Sequence, residues 1–189
     1  MHKSAVYTRQ TCPMDEFASF YVKKLGGVNM KENLLFTTSK LDMLLETLQE
    51  FKTEVHTAEE KGYDFLDDGQ YFISVINPEG TNNLAVKLGI GFTLFFGGWY
   101  QEYPATEEGF NSLIENMKDV LNNNRCIYIL STEGSTRYVI GETLFVDQMQ
   151  SRSLKNKILS IPEFKKSSLR NARFRVIYWN AKYNREVYF

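Results

Sequence analysis

Histidine and cysteine are scarce in this 189-residue chain, with two of each, at His2, His56, Cys12 and Cys126. A structural zinc site needs four such ligands at defined spacing, and these four are scattered. Nucleophilic catalysis would have to recruit His2, in a polar arm, or His56, and neither stands in a motif. A Cys12–Cys126 disulfide is permitted, but two reduced thiols is the plainer reading. Long apolar runs are missing too. The longest, Leu88 to Tyr100, is 13 residues with four glycines, too short and too broken to span a bilayer. The opening residues have no apolar core, and no Asn-x-Ser/Thr acceptor occurs. A cytoplasmic protein without membrane contact is expected.

Motifs of nucleotide and metal chemistry are equally absent. Gly89-Ile90-Gly91 begins like a dinucleotide fingerprint, but the third glycine is replaced by Leu94, and strand-like residues follow instead of a helix. Asp64, Asp67 and Asp68 lack the alternating frame of a calcium loop, and Asp67-Asp68-Gly69 suits a turn. No metal or cofactor is expected. These gaps point away from an enzyme without closing the question for carboxylates.

What is present is ring-rich and evenly charged. Hydrophobic residues make up 43% and charged residues 24%, and 14 Phe and 11 Tyr build much of the apolar content. One domain over 1–189 is the expectation, with 1–12 as a flexible arm. The net charge of −1 hides a division. Residues 151–189 hold ten Lys/Arg against two acids, and residues 1–150 hold twelve against twenty-one. Such asymmetry marks an acidic or nucleic-acid partner, or a basic part packed on the same core as the acidic one.

Periodicity predicts an α+β fold with a mainly antiparallel sheet of about six to eight strands. Helices are expected near 13–25, 39–55, 106–122 and 151–160. The second rests on Leu41, Leu44, Leu45, Leu48, Phe51 and Val55, with Ser39 as cap and Glu46, Glu50 and Glu54 as an acidic ridge. The third carries Phe110, Leu113, Ile114, Met117, Val120 and Leu121 in one stripe, capped by Thr106 and ended by Asn122-Asn123-Asn124. Strands are expected at 34–36, 71–77, 84–88, 92–96, 126–130, 136–146 and twice within 173–189. Gly97-Gly98 is read as ending a strand, so that 97–104 form an aromatic loop.

Two segments are candidate sites. In the loop, Trp99, Tyr100 and Tyr103 surround Glu102, which a small pocket would desolvate. In the C-terminal strands, alternation places Arg173, Arg175 and Trp179 on one face, with Lys182 and Arg185 extending a basic patch, also reached by Lys165, Lys166 and Arg170. Arginines beside a tryptophan suit nucleic acid or an acidic partner.

Residues 92–130, with Phe96-Gly97-Gly98-Trp99-Tyr100-Gln101-Glu102-Tyr103, resemble small uncharacterised proteins of Gram-positive bacteria. In those, an FG-x-W-H-x-H-Y-like strand end precedes an acid-capped helix and another strand. The resemblance implies that local layout and an immunity- or accessory-like role. Tyr100 and Glu102 stand where the pattern has histidines, so histidine chemistry is missing here. A non-catalytic binding protein with a protein partner is the leading expectation. A nucleic-acid-associated protein, or a ligand binder or enzyme at Trp99–Tyr103, is the alternative.

Overall fold

The computed structural model describes residues 29–80, 82–132, 135–138 and 173–188. The expected arm over 1–12, the helices over 13–25 and 151–160 and the far end of strand 136–146 lie outside the described residues. The chain falls into two compact units, divided between Lys118 and Asp119. Every strand pairing in both is antiparallel. Among the described residues there are two sheets, of five and four strands, instead of one of six to eight.

The first unit opens with α1 (Met30–Thr38) and α2 (Leu41–Thr47). Asn29 caps α1 by accepting from the Glu32 N–H. Leu34-Leu35-Phe36, expected as a strand, lies inside this helix, because a three-residue apolar run has no period of its own. The helix expected over 39–55 is cut short. The Phe51 N–H turns back to the Leu48 carbonyl at 2.8 Å, and the β-branched Thr53, Val55 and Thr57 then form β1 (Thr53–Thr57). Glu54 therefore leaves the row of Glu46 and Glu50, and the acidic ridge does not form.

Four more strands follow as a meander: β2 (Tyr71–Val75), β3 (Leu84–Leu88), β4 (Phe92–Phe96) and β5 (Trp99–Tyr103). The sheet order is β1-β2-β3-β4-β5, antiparallel throughout. Gly97 and Gly98 both have positive φ, 57° and 86°, and Phe96 pairs directly with Trp99. That is a two-residue hairpin turn, which needs left-handed backbone at both positions. The predicted aromatic loop is thus an edge strand.

One face of the sheet is the core. Ile73, Val75, Leu84, Val86, Leu88, Phe92, Leu94 and Phe96 are all buried there. The helix α3 (Glu107–Leu121) buries Phe110, Leu113 and Met117. Thr106 caps it as expected, accepting from the Gly109 N–H at 3.0 Å, and Asn123 ends it with φ 59°. Phe92 lies 6.3 Å from the Phe36 ring and 5.5 Å from Phe110. Lys40 sits over Phe36 and Phe110 and pairs with Glu107 at the start of α3, where an acid suits the helix dipole.

Helix α1 is held to the β3–β4 turn by one buried hydroxyl. Thr37 is fully buried and donates its hydroxyl proton to the Gly89 carbonyl. Thr37→Val keeps the shape and leaves that carbonyl without its donor. A loss of about 1–3 kcal/mol is expected in urea titration.

The second unit has β6 (Ile127–Thr132), β7 (Ser135–Tyr138), β8 (Arg173–Ile177) and β9 (Arg185–Tyr188), in the order β7-β6-β8-β9. A short 3-10 turn, Ala181–Tyr183, joins the last two. Phe174, Val176 and Tyr178 are buried. Burial first, and then the neighbouring Cys126 thiol, push the Tyr178 hydroxyl above the usual tyrosine range. Above pH ~10 the unfolded chain releases this proton while the folded chain retains it, so stability falls as pH rises. Tyr178→Phe is expected to flatten that alkaline loss, read as thermal midpoint against pH from 9 to 11.

Among the described residues, no helix is long and apolar enough to cross a membrane.

Candidate functional site

Strand alternation divides the predicted Trp99–Tyr103 site. Trp99 and Tyr103 are buried on the core side. Tyr100 and Glu102 lie on the opposite face, where Tyr100 is half-buried and Glu102 exposed. The four side chains do not converge.

The C-terminal candidates are tied into their own unit. Arg173 is ion-paired with Glu186 across the β8–β9 ladder. Arg175 is half-buried, with its Nε inside and no hydrogen-bond partner. Arg185 donates to the carbonyls of Lys182 and Asn184, and Lys182 lies 4.7 Å from the Tyr183 ring. Trp179 is only 6% exposed, so its ring is taken up in packing. Lys165, Lys166 and Arg170 lie outside the described residues.

A different arrangement stands out on the face of the five-stranded sheet away from α3. Register builds two cross-strand rows there. Glu54, Ser74, Ala85, Phe95 and Tyr100 form one, and His56, Phe72, Lys87, Thr93 and Glu102 form the other. Phe72 and Phe95 belong to different rows and lean towards each other past the small Ala85, their rings 5.8 Å apart. Phe95 continues to Tyr100 at 6.2 Å.

The 13-residue connection from Ala58 to Gln70 supplies more rings. Successive turns, with the Tyr63 N–H on the Glu60 carbonyl and the Leu66 N–H on the Tyr63 carbonyl, fold it back over the sheet. Leu66 is buried and anchors it. Tyr63 stacks on His56 at 4.0 Å and meets Phe72 at 5.9 Å, and Phe65 meets Phe72 edge-on at 5.4 Å. The result is one aromatic band from β1 to β5: His56, Tyr63, Phe65, Phe72, Phe95 and Tyr100. All six are half-buried, with neither full exposure nor full enclosure.

The charges around the band are mostly negative. Glu54 and Glu60 stand at its β1 end and Glu102 at its β5 end, all exposed. Glu60 accepts from the Thr57 N–H and lies 2.8 Å from His56 Nδ1. Those bonds, that of His56 first, hold its carboxyl below the usual glutamate range. His56 Nε2 is buried, makes no hydrogen bond and lies 3.9 Å from Glu54. Lys87 is the one cation within the rows. Burial lowers its pKa, and Asp67 opposes that. Residues 29–118 carry six Lys/Arg against fifteen Asp/Glu, a net charge of −9, and residues 119–189 carry twelve against six, or +6. The sequence changes from acidic to basic where the two units divide.

Nothing in the band is a nucleophile paired to a base. Among the described residues no three His, Cys, Asp or Glu side chains gather at metal-binding distance. What it offers is ring surface beside carboxylates, which suits cations and planar groups. No family model, no curated protein and no solved structure matches the chain.

The sequence held a weak sign of this site. Phe72 and Phe95 put large rings on the second side of strands whose first side is already apolar, and Tyr63 and Phe65 interrupt an acidic stretch.

Proposed function

We propose that this is a non-catalytic, cytoplasmic binding protein that takes a basic protein partner on the aromatic face of its acidic unit. An immunity-like role, occupying a basic partner's surface, is the form this takes. The observation that carries the reading is the half-exposed aromatic band between exposed carboxylates. Aromatic side chains concentrate where proteins bind one another, since they bring much contact area at little entropic cost. The acids select a partner of opposite sign and speed its encounter.

The same rings are capable of stacking bases, so nucleic acid is the competing reading. Charge weighs against it. Affinity for nucleic acid comes largely from cations on phosphates, and this unit has a net charge of −9 with Lys87 half-buried. Each cation–ring contact contributes about 0.5–1 kcal/mol when exposed and about 2 when desolvated. Three or four such contacts sum to about 1.5–8 kcal/mol, which places binding to a short peptide between the millimolar and micromolar ranges.

The test is fluorescence anisotropy with two labelled probes, a 12-residue peptide of mixed Arg, Lys and Ser and a 12-nucleotide single-stranded RNA. The peptide is expected to bind, more weakly at 150 mM than at 50 mM salt, and the Phe95→Ser/Tyr100→Ser variant to lose it. Tighter binding of the RNA, or peptide binding unchanged by the variant, overturns the reading.

A further inference from the structure

We infer that the partner group this face selects is arginine in preference to lysine. The inference rests on the binding reading above and names the chemistry that satisfies it. A ring and a carboxylate stand side by side at both ends of the band. Tyr100 and Glu102 are alternate residues of β5 on the same face, and alternate side chains on a strand are about 6.6–6.8 Å apart. At the other end Tyr63 stacks on His56, whose ring nitrogens face Glu60 at 2.8 Å and Glu54 at 3.9 Å.

A guanidinium is flat, lies on a ring face and still directs its N–H fork outward in plane. Stacked on Tyr100, it meets a carboxylate at its edge without leaving the ring. An ammonium is a compact, strongly hydrated point charge that must choose between the two. Ring spacings of 5.8 and 6.2 Å along Phe72, Phe95 and Tyr100 keep the rings in one continuous surface. The carboxylates need not be vacant, because each carboxylate group accepts several hydrogen bonds. Lys87 does not occupy the role internally. It shares the row of Glu102 but stands two strands away on β3, opposite Phe72 and Thr93, within the field of Asp67.

Two peptides of three Arg-Gly-Ser repeats and three Lys-Gly-Ser repeats, equal in charge and length, are titrated into the full chain. The arginine peptide is expected to bind about tenfold tighter, the gain of one ring contact or one charge-assisted hydrogen bond per site. Tyr100→Leu and Glu102→Gln, each checked for an unchanged thermal midpoint, are expected to bring the ratio towards one while leaving residual charge-driven binding. Equal affinity of the two peptides for the unaltered chain overturns the arginine preference and leaves the binding reading standing. Binding of neither peptide overturns the binding reading itself, and a ratio unmoved by both variants removes this face as the source of the selectivity.

Discussion

Gly109→Ala is expected to destabilise the first unit by about 2–3 kcal/mol, against the ordinary direction for such a change. Inside a helix, glycine to alanine normally gains about 1 kcal/mol, because alanine restricts the unfolded backbone and suits the helical one. Gly109 lies in the first turn of α3, where that gain is on offer. A Cβ built on it would fall 2.1 Å from the Pro104 carbonyl oxygen and 3.0 Å from the proline ring carbons. The oxygen belongs to the backbone, so no rotamer change relieves it. The Pro104 carbonyl also accepts from the Thr106 N–H at 2.9 Å, which closes the approach to the cap. Either the helix start moves away from Pro104 or the Thr106 cap opens, and a lost cap alone costs about 1 kcal/mol. The clash therefore outweighs the propensity. Asn111→Ala, exposed in the same helix, is the control and is expected to be neutral or slightly stabilising. Urea midpoints of the two variants check the pair; a stabilised Gly109→Ala protein would mean that the helix start is free to move.

Where the sequence was legible, one local period decided the structure. β3 alternates, β4 is a short apolar run bounded by glycines, and α3 carries a full apolar stripe between Thr106 and Asn123, so both kinds of element were readable to within a residue or two. Where two periods overlapped, the reading failed. Leu41, Leu44 and Leu45 are helical and Leu48 caps the helix, and Phe51 and Val55 extend that spacing by coincidence, so β1 was absorbed into a helix. Thr53, Val55 and Thr57 carried the contrary signal. At Gly97-Gly98 a pair of glycines signalled an end but not its kind. Only their positive φ values show a hairpin, and that converts a loop with converging side chains into a strand that sends them to opposite faces. The α+β class was therefore legible and the partition into two sheets was not, because strand count says nothing about which strands pair. The aromatic band was the least visible feature. It needs the register of five strands and the fold-back of residues 58–70, both set by contacts distant in sequence.

Phe92→Ala is expected to be the most costly single truncation in the first unit, at about 3–5 kcal/mol. Phe92 is fully buried where the sheet meets two helices, against Phe36 of α1 and Phe110 of α3. The variant loses the transfer free energy of a whole ring and two ring–ring contacts of about 0.5–1.5 kcal/mol each. The cavity cannot collapse readily, because Leu88 on the neighbouring strand is itself packed and fully buried. Three residues along the same strand, Phe95 carries the same side chain on the other face and is only half-buried. Its truncation is expected to cost less, about 1–2 kcal/mol, since part of its surface already meets water. Denaturant titration of the two variants side by side separates core from surface on a single strand. A Phe95→Ala loss as large as that of Phe92→Ala would make the outer band a second core, and the binding reading would lose its footing. A small Phe95 loss joined to a large loss of peptide binding is the combination that a recognition surface requires, because rings kept at a surface without a stability benefit are held there for what they contact.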